Sequence, residues 1–367
     1  MCVILLYNTL IINTWFSFYT VFQKAKQIAA LEMQSNIIIT GSWIALNVWD
    51  RQDFLFLLQD QKISSSSTVS SHFKHLIHIP YRGGLFAQPR VSIKIQDTPI
   101  AVLTAFACRL DTLENFLDIT ISALEVIKGK KRLILTMLNC LRKSSTLTPT
   151  RDPVNKWQVT HMIKEYKKKY KKIRSANNKN EPVEFKAVFV NKPFSRTIAL
   201  NRAADELKNN ELAVVLDVDM RVSSNFFIHC RTFARVGKMA YFPIPFVRHR
   251  PTELIEKKIT TKISKKGNWD TSSHNTFAIS SIDLNRIGKR GSLLFTSKTN
   301  HWGMETEDLK SKMRKKGNLQ VMRMYDPSLA HHYHKTDCGS VKQGKICLGS
   351  AKLFDSSTKL ISHWDEV

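Results

Sequence analysis

Between residues 100 and 216, short apolar runs alternate with stretches of helical period. Residues 100–106, 133–138, 185–190 and 212–216 are each short, apolar and flanked by polar residues, so they read as buried strands. Between the first two, Leu113, Phe116, Leu117, Leu124 and Ile127 recur on one helical face, and Asp111 stands where a cap belongs. Helices are also expected over 155–174 and 199–207. Strands that alternate with helices build a mostly parallel sheet covered on both faces, so the expected fold class is α/β. No internal repeat interrupts this order.

Charge limits the partners. The 367-residue chain carries 56 Lys and Arg against 30 Asp and Glu, a formal net charge of +26. Such a field favours polyanions: nucleic acid, an anionic membrane, acidic polysaccharide or nucleotide phosphates. At 43% apolar residues the chain can bury a core, which excludes wholesale disorder. The densest basic run holds Lys164, Lys167, Lys168, Lys169, Lys171, Lys172 and Arg174, with Ile163, Tyr166, Tyr170 and Ile173 at helical spacing. It reads as an amphipathic helix with a solvated basic back. No zinc-finger spacing, glycine-aromatic RNA signature or basic zipper accompanies it, so no nucleic acid is expected. The six cysteines contain no C-x-x-C pair; Cys108, Cys140 and Cys230 lie beside expected strands and read as core.

The chain divides into three parts. Residues 3–22 carry no charge and are long enough for a signal anchor over 1–26, the reading preferred here although Asn and Thr dilute them; a buried helix or the start of a longer chain is the alternative. Lys24 and Lys26 follow this stretch, which by the positive-inside rule would hold the bulk of the chain on the cytoplasmic side. Residues 27–97 show no period and contain a serine run over 64–71, so they read as an irregular stem. Residues 98–367 form the ordered domain.

Chemistry concentrates late. Leu216-Asp217-Val218-Asp219-Met220 ends an apolar strand in two acids. In an open α/β sheet, ligands bind outside the carboxyl ends of the strands. Paired carboxylates there suit a hard divalent cation whose remaining oxygen ligands come from a diphosphate, although a plain turn also favours Asp. His301-Trp302-Gly303-Met304-Glu305-Thr306-Glu307-Asp308 offers carboxylates for an acceptor hydroxyl or a general base, or simply an acidic helix start before Leu309. His331, His332 and His334 follow, and a neutral imidazole can complete a metal sphere.

From about residue 100 onwards the chain resembles the C-terminal glycosyltransferase domain of the chondroitin synthase and chondroitin N-acetylgalactosaminyltransferase family, which is related to the β1,4-galactosyltransferases. The likeness rests on Ala107-Cys108-Arg109-Leu110-Asp111, on Pro193-Phe194-Ser195-Arg196 with Ala199-Leu200, and on Asp217-Val218-Asp219. It continues through Phe227 to Cys230-Arg231, Gly237-Lys238 and Tyr241-Phe242-Pro243-Ile244, and ends with Cys338 and residues 346–352. The resemblance implies a GT-A fold, with a Rossmann-like nucleotide-binding half joined to an acceptor-binding half. It implies metal-dependent, inverting transfer of N-acetylgalactosamine from UDP-GalNAc to glucuronic acid at a chondroitin chain end, in β1,4 linkage. It places Mn²⁺ or another divalent cation at Asp217, Asp219, His331 and His334, with Asp219 the more direct ligand. Donor-binding residues would be Arg109, Asp111, Phe194, Arg196, Asp217, Trp302 and Gly303; Glu305, Glu307 and Asp308 are the candidate catalytic acids.

The resemblance further implies a Golgi membrane protein with a luminal catalytic domain, a glycosaminoglycan acceptor and a possible second synthase subunit as partner. Cys338 and Cys347 are close enough in sequence to pair, or stand as free thiols. Two departures stand out. Thr306 occupies the place of the family's expected base, an Asp. Ser273-His274-Asn275-Thr276 replaces a glycine-rich stretch that runs close to the sugar. A catalytically impaired subunit supporting an active synthase is therefore the alternative expectation.

Overall fold

The computed structural model describes residues 37–47, 51–60, 75–82, 85–86, 90–92, 97–107, 110–139, 156–177, 181–248, 267–271, 273–288 and 305–332. They fall into two compact units, 1–96 and 97–367. In the first unit, β1 (Ile37–Asn47), β2 (Arg51–Asp60), β3 (His75–Arg82) and β4 (Leu85–Phe86) form an antiparallel sheet, with β5 (Arg90–Ser92) also paired to β3. The irregular stem expected over 27–97 therefore contains a sheet. Its strands lack strict alternation, as in the continuous apolar run Phe54-Leu55-Phe56-Leu57-Leu58, which hides the two-residue period. The candidate anchor at 3–22 and the serine run lie outside the described residues. Among the described residues no helix is long and apolar enough to cross a membrane.

The second unit is a nine-stranded mixed sheet with helices packed against it. β6 (Ile100–Phe106), β7 (Lys131–Asn139), β8 (Val183–Pro193) and β9 (Leu212–Val215) run parallel in the order β8-β7-β6-β9. The chain thus steps outward from β6 twice, then returns to β6's other side. That reversal is the switch point at which doubly wound sheets bind nucleotides. β6 is buried along its whole length, as a central parallel strand must be.

Helix α1 (Leu110–Val126) buries Leu113, Phe116, Leu117, Thr120, Ile121 and Leu124. Each fully buried Leu or Phe contributes about 1.5–3 kcal/mol, and this stripe fastens α1 to the sheet. Asp111 is the second residue of the helix and not its cap, and its charge there still complements the helix dipole. α2 (Lys156–Asn177) buries Val159, Ile163 and Tyr166 and exposes Lys164, Lys167 and Lys168, as its amphipathic pattern requires. It lies beside α1: Lys169 Nζ reaches Asp118 Oδ1 at 2.9 Å and the Tyr166 hydroxyl donates to the Glu114 carbonyl at 3.1 Å. α3 (Arg196–Asp205) begins on Ser195, whose hydroxyl accepts from the Ile198 N–H. Its Leu200 and Ala203 join Ala101, Leu103, Ile134, Ala213 and Val215 in one core cluster.

Beyond β9 the sheet continues through β13 (Phe277–Ser280), β11 (Met239–Arg248), β14 (Gln320–His331) and β10 (Met220–Val222), with β12 (Gly267–Trp269) on β11. α4 (Ser224–Phe233), α5 (Ser281–Ile287) and α6 (Glu305–Lys315) complete this half. Leu284, Leu309 and Met313 pack into the same core cluster, so the two halves share one interior. Cys230 is buried as expected, but within helix α4 and not beside a strand. A parallel nucleotide-binding half fused to a mixed second half is the GT-A arrangement.

Candidate active site

The two acids sit where β9 ends. Thr104 Oγ1 donates to the Leu216 carbonyl at 2.9 Å, and the Leu216 N–H donates to the Leu103 carbonyl at 3.1 Å. Both bonds tie the strand end to β6. A turn follows, closed by the Met220 N–H on the Asp217 carbonyl at 3.1 Å. Asp217 and Asp219 therefore project at the carboxyl edge beside the switch point, each with about a fifth of its side chain exposed.

Each acid already has a basic neighbour. Arg196, the first residue of α3, donates from Nε to Asp217 Oδ1 at 2.9 Å and from Nη2 to the Asn275 carbonyl at 2.8 Å. Arg196, expected to bind the donor, thus clamps Asp217. His331 Nε2 lies 3.6 Å from Asp219 Oδ2, an ion-pair distance too long for a hydrogen bond. Burial pushes the Asp217 carboxyl above its ordinary value; Arg196 opposes the rise and Asp219 adds to it. For His331, burial alone would depress the imidazole, but Asp219, Asp217 and Asp270 carry it above its ordinary value. The neighbouring His332 behaves oppositely: burial, then Arg221 and Arg248, lower it to about 3.

A bulge brings His331 to this point. From Ile244 to Phe246, β11 advances two residues while β14 advances five, from Tyr325 to Ala330, so three residues of β14 are extra. Their geometry is set by Asp326, which is fully buried. Its carboxylate accepts from the Ser328 N–H at 3.0 Å, an Asx turn around Pro327, and also from the Ser328 hydroxyl. The Tyr241 hydroxyl donates to it at 2.8 Å, and His229 Nδ1 lies 3.1 Å from both oxygens. Burial would raise the Asp326 carboxyl, but His229, Ser328 and Tyr241 hold it below its ordinary value. Without the three extra residues, the β14 register would carry His331 about 10 Å past Met220, at ~3.3 Å per residue. With them, His331 lies directly opposite Met220.

The departing stretch Ser273–Thr276 is held by side chains in place of glycine turns. Arg323 donates to the carbonyls of Ser273 and Thr271 at 2.9 and 2.6 Å, the Ser273 N–H donates to Asp270 Oδ1 at 3.0 Å, and Lys310 Nζ donates to His274 Nε2 at 2.9 Å. Among the other expected site residues, Asp111 is exposed and Phe194 is 48% exposed at the end of β8. Asp308 pairs with Lys312 along α6 at 2.8 Å. Glu305 and Glu307 lie in the first turn of α6. Arg109, Trp302, Gly303, His334, Cys338 and Cys347 lie outside the described residues.

Among the described residues no three His, Cys, Asp or Glu side chains gather closely enough to form a complete ion site. The donor set at this edge nevertheless fits a divalent cation by type, since carboxylate oxygen and imidazole nitrogen are both accepted by Mn²⁺-like ions. Asp219 and His331 converge from opposite strands, while Asp217 is engaged by Arg196. The residues that sequence reasoning missed are Asn275, Arg323, His229 and Asp326, which hold the site from behind. Only Asp326 left a signal, an Asp-Pro-Ser turn inside an apolar strand pattern.

Comparison with known proteins identifies the family. The family model described as "Chondroitin N-acetylgalactosaminyltransferase" matches residues 31–353. Human chondroitin sulfate synthase 3 is 30% identical over 203 residues, covering 53% of this chain and 22% of that protein. Human chondroitin sulfate N-acetylgalactosaminyltransferase 2 is 22% identical over 272 residues, covering 70% of this chain and 49% of the relative. The chain thus spans at most about half the length of these relatives. Among solved structures, GalNAc-T7 with UDP, GalNAc and Mn²⁺ aligns with a TM-score of 0.41 at 13% identity, over 66% of this chain and 45% of that one. With a family model matching most of its length, the chain belongs to the chondroitin N-acetylgalactosaminyltransferase family.

Proposed function

We propose that the chain is a UDP-sugar glycosyltransferase of chondroitin synthesis, transferring N-acetylgalactosamine to a terminal glucuronic acid with inversion to a β1,4 bond. The observation that carries this reading is the pairing of Asp219 with His331 beside Asp217, at the carboxyl edge of a switch-point sheet. Asp219 and His331 would hold a divalent cation, which when bound supplies positive charge to the departing diphosphate. Arg196 orients Asp217 and opposes the effect of burial on its carboxyl. Phe194 offers an exposed ring at the end of β8 against which a uracil can stack. Inversion also needs a base on the acceptor hydroxyl, worth typically ~10²–10⁴-fold. Because Lys312 already engages Asp308, that role falls to Glu305 or Glu307. A Golgi location with a luminal domain belongs to the same proposal.

The second reading, an impaired subunit that supports an active synthase, is favoured by Thr306, whose hydroxyl cannot accept a proton near neutral pH. One experiment tests both. Transfer from radiolabelled UDP-GalNAc to a chondroitin oligosaccharide ending in glucuronate is measured with and without Mn²⁺, alongside other UDP-sugars. The enzyme reading expects Mn²⁺-dependent transfer that Asp219→Ala abolishes. Absence of transfer from every donor, with Mn²⁺-dependent UDP binding retained, supports the subunit reading instead.

A further inference from the structure

Two adjacent histidines look opposite ways, and only one of them faces the acids. In the sheet register Arg221 lies opposite Ala330, which lies opposite Phe246; in the next row Met220, His331 and Val247 align. One row further, the His332 N–H donates to the Asp219 carbonyl at 3.0 Å, and Arg248 follows Val247. Side chains alternate faces along a strand. Arg221, His332 and Arg248 therefore share one face at the sheet edge, while His331 lies on the other. All three are half-buried. Arg221 Nε and His332 Nε2 are sealed from solvent and make no hydrogen bond among the described residues, and Arg221 Nη2 donates to Asn115 Oδ1 at 3.4 Å.

Two guanidinium groups brought together and partly desolvated repel each other at reduced dielectric. An oxyanion would relieve this arrangement, and the planar arginine fork is suited to a carboxylate or sulfate.

We propose that Arg221, His332 and Arg248 form an anion-binding subsite for the carboxylate of the acceptor's terminal uronic acid. The acid-rich face around His331 suits a cation and its diphosphate, so the donor's charge belongs there and the basic face is left for a second, separate anion. This inference rests on the acceptor assignment in the proposed function. It adds the group on that acceptor which is recognised, and the residues that recognise it.

Calorimetry on the full chain tests it with three probes: UDP with Mn²⁺, an unsulfated chondroitin oligosaccharide ending in glucuronate, and the same oligosaccharide with its carboxyls reduced to alcohols. Arg221→Gln and Arg248→Gln are compared separately with the parent, so that one variant suffices if the other fails to fold. The expected result is a loss of about 10- to 100-fold in affinity for the carboxylated oligosaccharide, the size expected for a hydrogen bond to a charged group. The reduced oligosaccharide should bind parent and variants alike, and UDP affinity should stay within about twofold. Parent-like binding of the carboxylated oligosaccharide by both variants overturns the subsite but leaves the proposed function standing. Equal losses for UDP overturn it in favour of a donor phosphate. Failure of the parent chain to bind either oligosaccharide sinks the subsite and the acceptor assignment together.

Discussion

Replacing Asp326 by Ala is the most informative single perturbation of this fold. The carboxylate accepts from Tyr241, the Ser328 N–H and the Ser328 hydroxyl, and lies against His229. Its loss leaves the Tyr241 hydroxyl and the His229 ring without this acceptor in an interior where Asp326 and Tyr241 are both fully buried. Breaking a buried charged network by removing one partner costs about 3–5 kcal/mol. At roughly 2–4 °C per kcal/mol for a domain of this size, the midpoint of thermal unfolding should fall by about 10 °C. Asp326→Asn keeps an acceptor for the Asx turn and should lose about half as much. The pH dependence follows from the depressed native value. Asp326 is lowered in the folded state, so its contribution is complete above the unfolded value of about 3.9 and is lost as pH falls through the folded one. The Asn variant should therefore show a shallower loss of stability below about pH 4 than the parent. The bulge also positions His331, so Mn²⁺ affinity of the folded Ala variant, read by electron paramagnetic resonance below its midpoint, should drop about tenfold, and adding His331→Ala should weaken it little further. A midpoint within 2 °C of the parent, or additive losses of Mn²⁺ affinity, would refute the argument that this network sets the bulge.

Other perturbations test separate parts. Arg196→Ala removes the cation beside Asp217 and the donor to Asn275; it should weaken UDP–Mn²⁺ binding by about 1.5–3 kcal/mol, and Arg196→Lys should recover only part of this because one ammonium cannot span both acceptors. Thr306→Asp introduces a carboxylate in the first turn of α6; if the proton acceptor limits the reaction, initial rates of sugar transfer should rise by about 10²-fold or more, and an unchanged rate would place the base elsewhere. Gly267→Ala would bring a Cβ within 2.2 Å of the Val247 carbonyl oxygen and 2.7 Å of the Phe246 ring; backbone there cannot yield cheaply, so denaturant melts should show a loss of about 1–3 kcal/mol.

The nucleotide-binding half was legible because its signals are local. Residues 100–106 coincide with β6, and the expected strands at 133–138, 185–190 and 212–216 fall on β7, β8 and β9. Continuous apolar runs are what a parallel sheet buried on both faces demands. The helical stripes of α1 and α2 were equally plain. The site was only half legible. Asp217, Asp219 and His331 stood out by type and spacing, and the sheet brings them to one edge. The pairings that decide their behaviour did not stand out, because each joins residues distant in sequence: Arg196 was expected at the donor but is clamped to Asp217, 21 residues on, and His229 is 97 residues from Asp326. Periodicity cannot report a contact of that range, since it depends on strand order and on the register of β11 against β14.

That register is also why the histidine cluster was ambiguous in the sequence. His331 and His332 have the same chemistry and adjacent positions, yet a strand turns successive side chains to opposite faces. The face on which each falls depends on the three-residue bulge, which depends on Asp326, which depends on Tyr241 and His229. A change of one residue in the bulge length would exchange the two imidazoles, setting His332 toward Asp219 and His331 toward Arg221 and Arg248. The metal-type pairing at 3.6 Å and the cationic cluster behind it are thus two consequences of one backbone feature. A variant with Pro327 deleted is expected to lose both together, and loss of only Mn²⁺ affinity or only oligosaccharide affinity would show that the two faces are set independently.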